Sequence, residues 1–120
     1  MAAPANANES IFIRPVTLVA PATYYSLGVL VAAINKNIVP KGKELFMVGD
    51  ATNTDDIFIT DPDQGNATYS ATAWGWYLPP GGGSPTFHLR DGAGAISLDD
   101  YYLFCPTTAD QIVHVYFRGR

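Results

Sequence analysis

Cysteine is almost missing from this chain. Cys105 is the only one in 120 residues, so no intrachain disulfide can form and no disulfide framework marks a secreted domain. Charge is scarce as well. Asp, Glu, Lys and Arg make up 15% of the residues, against roughly a quarter in an ordinary soluble domain. Seven basic and eleven acidic residues leave a net charge of −4. The basic residues are scattered, and Lys36, Lys41 and Lys43 form the only loose cluster. That argues against a main task of neutralising nucleic-acid phosphates. Long apolar runs are lacking too. The longest, residues 27–34, is broken by Gly28 and ends at Asn35-Lys36-Asn37, well short of the ~20 residues a membrane helix needs. Residues 1–8 have neither a basic region nor an apolar core, so no signal peptide is expected.

What remains is apolar and aromatic. Hydrophobic residues make up 48% of the chain, enough for one domain with a modest core and no metal or disulfide staple. So little charge on a small domain suits a surface that is partly covered by partners. A surface rich in Thr, Asn and Ser on a free monomer is the plainer alternative. The small-residue stretch 1–8 reads as a tail, or as an arm that orders on a neighbouring subunit.

The stretch from Trp74 to Leu89 organises the rest. Trp74, Trp76 and Tyr77 carry the largest apolar surface in the sequence. Pro79 and Pro80 cannot donate to a sheet ladder, so a strand must end by Leu78. Gly81-Gly82-Gly83 lets the backbone turn back. After Pro85, Phe87 and Leu89 alternate with Thr86, His88 and Arg90, as in a strand with one buried face. A hairpin is predicted here.

Other strands are expected at 11–14, closed by Pro15, and at 16–20, 44–50, 57–60, 67–78, 95–98, 101–105 and 111–118. In the last of these, Val113, Val115 and Phe117 form the core face and His114, Tyr116 and Arg118 point out. Residues 24–34 are ambiguous. Leu27, Leu30, Val31 and Ile34 sit at helical spacing, yet the segment is Val-rich, contains Gly28 and is apolar on both faces, so a buried strand is the preferred reading. Many short strands without a convincing helix predict an all-β fold, an antiparallel sandwich of jelly-roll type with an extended N-terminal arm. The expected organisation is an arm and first short strand over 1–14 and a single domain over 15–120.

No constellation in the sequence rises to a catalytic, metal or cofactor site. Gly81-Gly82-Gly83 is followed by neither a Gly-Lys-Ser/Thr sequence nor a helix, so it is not a phosphate loop. Asp61-Pro62-Asp63-Gln64-Gly65 begins like a calcium loop but lacks the closing carboxylate. His88 and His114 could meet on paired strands and bind zinc with an aspartate, although nothing in their spacing requires it. Cys105 ends an apolar run and reads as a buried, inert thiol. Asp55-Asp56 and Asp99-Asp100 are neighbours that a strand would point to opposite faces, so neither is a ready acid/base pair. Trp74, Trp76 and Tyr77, with Tyr101 and Tyr102, could form a sugar-stacking platform, or equally a core or a subunit interface.

Read in order, the pieces resemble a family. Ala33-Ile34-Asn35 is followed by Leu45-Phe46-Met47-Val48-Gly49-Asp50 and then by Gly75-Trp76-Tyr77-Leu78-Pro79-Pro80-Gly81. Ile96-Ser97-Leu98-Asp99-Asp100-Tyr101-Tyr102-Leu103 and Ala109-Asp110-Gln111-Ile112-Val113-His114-Val115-Tyr116 complete the series. This resembles the small β-sandwich structural proteins of tailed bacteriophages over residues 24–118, through loose strand and turn patterns. The resemblance implies a non-enzymatic virion protein without cofactors, made in the host cytoplasm. It implies a capsid decoration (cement) role at the head surface, bound to the major capsid protein or other virion proteins. A homo-oligomer is expected, with a trimer favoured by capsid symmetry, and neither membrane nor direct nucleic-acid contact is expected. The rival reading is a carbohydrate-binding sandwich in a phage fibre or tail. Ile11, Phe12, Ile13 and Arg14, with Trp74, Trp76 and Tyr77, are the expected interface residues.

Overall fold

The computed structural model describes residues 10–60 and 76–119. Trp74, the Asp61–Gly65 turn, most of the strand expected over 67–78 and the arm over 1–8 lie outside the described residues. The elements in order are β1 (Ser10–Leu18), β2 (Tyr24–Ser26), α1 (Leu27–Ile34), β3 (Lys41–Gly49), β4 (Ile57–Thr60), β5 (Trp76–Leu78), β6 (Phe87–Arg90), β7 (Ile96–Ser97), β8 (Tyr102–Phe104) and β9 (Gln111–Gly119). A 3₁₀ turn at Leu98–Asp100 joins β7 to β8.

Two antiparallel sheets form a sandwich. The long sheet runs β1-β9-β3-β6, with the two-residue β7 also on β3, and the short sheet runs β2-β8-β4-β5. The pairings are nested. β1 pairs with β9, β2 with β8, β3 with β6 and β4 with β5, while β3–β9 and β4–β8 ladders join these pairs into sheets. Between the sheets, Phe12, Val16, Leu45, Met47, Val113, Val115 and Phe117 of the long sheet meet Ile57, Ile59, Leu78 and Leu103 of the short one. Every second residue of β9 contributes, with Val113, Val115 and Phe117 inward as the alternation predicts.

Three expectations change. Residues 24–34 are a short strand leading into a helix rather than one buried strand. The Ser26 hydroxyl oxygen accepts from Val29 N–H at 3.4 Å, and Asn35 N–H closes the far end on Val31 O. Leu27 and Val31, one turn apart, are buried while Val29 is exposed. A cap and an i,i+4 apolar stripe therefore outweigh the few tenths of a kcal/mol that Val costs a helix.

The predicted hairpin is also absent. β5 belongs to the short sheet and β6 to the long one, so the Pro-Pro-Gly-Gly-Gly stretch carries the chain across the sandwich. Gly81, Gly82 and Gly83 all have positive φ, from 75° to 86°, which a side chain would strain. Finally, Pro15 does not stop the first strand, which runs through to Leu18. Among the described residues β1 is an edge strand, and a proline there can leave its nitrogen on the open side. The boundary expected between residues 14 and 15 thus falls inside one strand.

No described helix is long and apolar enough to cross a membrane.

Candidate interaction surface

The outer face of the long sheet brings the candidate residues together. Strand register sets the rows. Ile11, Arg118, Glu44 and Arg90 stand side by side across β1, β9, β3 and β6, and Ile13, Tyr116, Phe46 and His88 form the next row. Pro15, His114 and Val48 follow. The middle row is apolar and aromatic, with Ile13 66% exposed at its β1 end and Phe46 meeting the His88 ring edge-on at 5.5 Å. Polar groups rim this apolar centre, the composition of an interaction patch rather than of a solvated face.

Part of the rim is internally paired, around Glu44 and Asp50. Glu44 Oε2 accepts from His88 Nε2 at 2.7 Å and from Arg90 Nε at 3.0 Å. These bonds, from His88 first and then Arg90, hold the Glu44 carboxyl below its usual range. His114 Nε2 lies 2.6 Å from Asp50 Oδ1. Asp50 Oδ2 accepts from the Thr52 hydroxyl and, at 2.9 Å, from Thr52 N–H. The Thr52 hydroxyl, then His114 and then the Thr52 amide bring Asp50 down to about 2. His88 and His114 do not meet, because β6 and β9 lie on opposite sides of β3. Each histidine has its own carboxylate. Among the described residues no three His, Cys, Asp or Glu side chains gather as metal ligands.

Behind Asp50 the β3–β4 loop is bound to β9 by side chains that mimic a strand. Asn53 is buried. Its Nδ2 donates to Ile112 O at 2.6 Å and its Oδ1 accepts from Ile112 N–H at 2.8 Å. Its own carbonyl accepts from Gly81 N–H at 2.9 Å. One asparagine thus joins the β3–β4 loop, the start of β9 and the crossover between sheets. Gln111 Oε1 accepts from Thr54 N–H and Asp55 N–H. Burial raises the Asp55 carboxyl, but bonds from Thr107, the Asp56 amide, Cys105 and Thr108 outweigh it and leave the carboxyl lowered. Cys105 is fully buried and its thiol is pushed up, chiefly by that burial. A thiol so held is poorly disposed to act as a nucleophile.

The expected interface residues separate. Ile11 and Ile13 lie on the outer face, 55% and 66% exposed, whereas Phe12 points into the core at 2%. Phe12 is therefore removed from the interface set, since an intact strand turns alternate residues inward. Arg14 is exposed beside Ile34 and Asn35 at the end of α1, where an open cleft of about 280 Å³ lies. Trp76 is 42% exposed, and its Nε1 donates to Thr86 O at 3.1 Å.

Tyr77 stands on the opposite, outer face of the short sheet, in the cross-strand row Tyr24, Phe104, Phe58, Tyr77. Tyr101 packs edge-on against Phe87. Trp76, Tyr77 and Tyr101 therefore make no single flat platform. Sequence reasoning did not single out Glu44, Asn53 or Gln111. The i,i+2 pair His88 and Arg90 on one strand face was the available signal for a carboxylate opposite, whereas Asn53 lay in a polar loop that looks like any other.

A scan of protein-family models, a search of curated proteins and a search of solved structures return no match to this chain.

Proposed function

We propose that this chain is a structural protein of a tailed-phage virion, a decoration protein that packs a β-sandwich against the major capsid protein lattice. Its action is mechanical rather than catalytic. Each copy adds modest apolar and polar contacts across neighbouring shell subunits, and symmetry multiplies them. Binding the assembled lattice but not free subunits stabilises the shell by mass action. A trimer on threefold positions of the head surface is part of the proposal.

The observation that carries this reading is the outer face of the long sheet. Ile11 and Ile13 on β1 are more than half exposed, and the row of Ile13 continues into Tyr116 and Phe46 beside the Glu44 and Asp50 charge pairs. The nested pairing of eight strands adds support. Such nesting supports the proposed jelly-roll reading, a rolled antiparallel ribbon of the kind that viral capsid and lectin domains use.

The test is co-sedimentation with expanded, undecorated heads of the source phage. Saturation at a fixed ratio to coat protein, with a raised head melting temperature, is the expected result. Ile13→Asp should abolish it while leaving the free domain folded. No binding at micromolar protein would remove the decoration reading.

A further inference from the structure

The outer face of the long sheet carries its charges unevenly. Among the described residues, Arg118, Glu44 and Arg90 stand at one end of it, and Asp50 with His114 stands at the other. Glu44 is shared between His88 and Arg90, so the first end keeps a surplus of positive charge. Arg118 lies beside Glu44, and its Nε is buried with no hydrogen-bond partner, a state that few buried donors keep. Among the described residues Asp50 is bonded to Thr52 and His114 and to no arginine or lysine. The second end therefore holds a carboxylate with no fixed cation.

Between the two ends lies the apolar row Ile13, Tyr116, Phe46. A two-fold axis laid along that row, in the plane of an interface, turns a second copy so that each strand lies antiparallel over its own counterpart. The apolar row then meets itself and the flanking rows exchange. Ile11 comes over Pro15, Glu44 over Val48, and Arg118 over His114 with its bonded Asp50. A two-fold axis makes every contact reciprocal, so the approach of Arg118 to Asp50 occurs twice. The face is complementary to itself in both charge and apolar character.

The size of the face sets the strength. β1, β3 and β9 have nine residues each and β6 has four. At about 3.3 Å per residue and about 4.8 Å between strands, the face measures roughly 30 by 20 Å. Two such faces bury about 1,200 Å² in total, the lower end for a specific interface. A weak, exchanging pair is the result.

We propose that the free protein pairs with a second copy of itself through the outer face of the long sheet, as a weak two-fold dimer in which Arg118 of each copy meets Asp50 of the other. The two sheets pack in the aligned manner usual for stacked sheets. The proposal shares with the virion reading only the premise that this face is an interface, and it concerns the free protein. A copy seated on a shell through this face has left its pair.

The test is sedimentation equilibrium of the whole protein from micromolar to millimolar concentration. A monomer–dimer equilibrium with a dissociation constant in the micromolar range is expected. Arg118→Glu and Asp50→Arg should each weaken the dimer by about tenfold or more, because each sets two like-charge contacts in the pair. Mixed in equal amounts, the two variants should form a mixed dimer close to wild type in strength, since their reversed charges answer each other at both contacts. Near-ultraviolet circular dichroism of each variant shows that it folds.

A second measurement needs neither charge variant. Tyr116→Cys places a thiol on the axis, where a short bismaleimide should join it to its own copy across sheets about 10 Å apart. Tyr77→Cys, on the outer face of the short sheet, should not be joined, and the native Cys105 is buried. A monomer at millimolar protein, a dimer unchanged by Arg118→Glu, or charge variants that stay apart on mixing would each overturn the proposal. A trimer in solution would overturn it in favour of a threefold arrangement. Co-sedimentation with heads succeeds or fails separately from all of these.

Discussion

On the long sheet, Phe46 stands in a row with His88, Tyr116 and Ile13, and the row opens to solvent at both ends. On the short sheet, Phe58 stands in an equivalent row with Tyr77, Phe104 and Tyr24, yet Phe58 and Phe104 are only 9% and 8% exposed. Tyr24 stacks on Phe104 at 4.5 Å. Both sheets place aromatic residues on the face turned away from the sandwich core. Among the described residues, the short sheet buries the middle of that face, and the long sheet alone rims it with His–carboxylate and Arg–carboxylate pairs. The lesson is that an outward aromatic is not by itself a binding residue. Four consecutive buried residues, Ile57–Thr60, already mark β4 as covered on both sides, whereas β9 alternates buried and open positions.

This comparison can be broken most directly by truncating one ring from each row. Phe104→Ala should cost about 3–5 kcal/mol, the usual range for a buried phenylalanine. Phe46→Ala, half-buried on the open face, should cost about 1 kcal/mol, as partly exposed substitutions do. Urea unfolding of the two variants reads the difference, and equal losses would show that the long-sheet face is as structural as the short-sheet one.

The next effect concerns what holds the open face in register. Asn53→Ala removes both bonds to Ile112 and leaves the half-buried Ile112 amide unpaired, an expected loss of about 1–2 kcal/mol. Hydrogen exchange should speed up at Ile112 and Gly81, with little change in β2 or β8.

Acid sharpens the contrast further, because it acts on the rim of the long sheet. Asp50 is depressed from 3.8 to about 2. A depressed folded-state value means that its stabilisation is present above about pH 4 and lost as pH falls toward 2. Wild-type melting temperature should decline across that window, and Asp50→Asn should lower the neutral-pH value and flatten the decline. An unchanged slope in the variant would assign acid sensitivity to other carboxylates.

The smallest effect is expected at α1. Ser26→Ala removes a cap whose bond is long at 3.4 Å, so a loss of about 0.5 kcal/mol is expected, at the low end for N-caps. Thermal unfolding should fall slightly, without change at either outer face.

Most strand positions were legible in the sequence because period-2 alternation and terminating prolines act locally. β4 falls on the expected segment, and β9 and β6 show the expected inward and outward residues. Three features were not legible. Residues 27–34 carry patterns for both helix and strand, and the Ser26 cap with burial of Leu27 and Val31 decided between them. Pro15 looked like a stop, but edge placement lets the strand continue. The crossover at Gly81 to Gly83 looked like a hairpin, because chain reversal and sheet exchange use the same turn residues.

The candidate surface divides in the same way. The sequence put Ile11, Phe12 and Ile13 together as expected interface residues, and the intact strand exposes Ile11 and Ile13 while turning Phe12 inward. Glu44 gained its role only when β6 placed His88 and Arg90 beside it, and Asn53 gained its role only when β9 brought Ile112 within reach.

By itself, then, the sequence determined a mainly β chain with no intrachain disulfide and little charge, and the core faces of strands such as β9, because composition and alternation are properties of short windows. Tertiary structure decided which sheet each strand joins, which aromatic row stays open and which carboxylate each histidine meets. Those depend on register between strands distant in the chain, where a shift of one residue would exchange every inward side chain for an outward one.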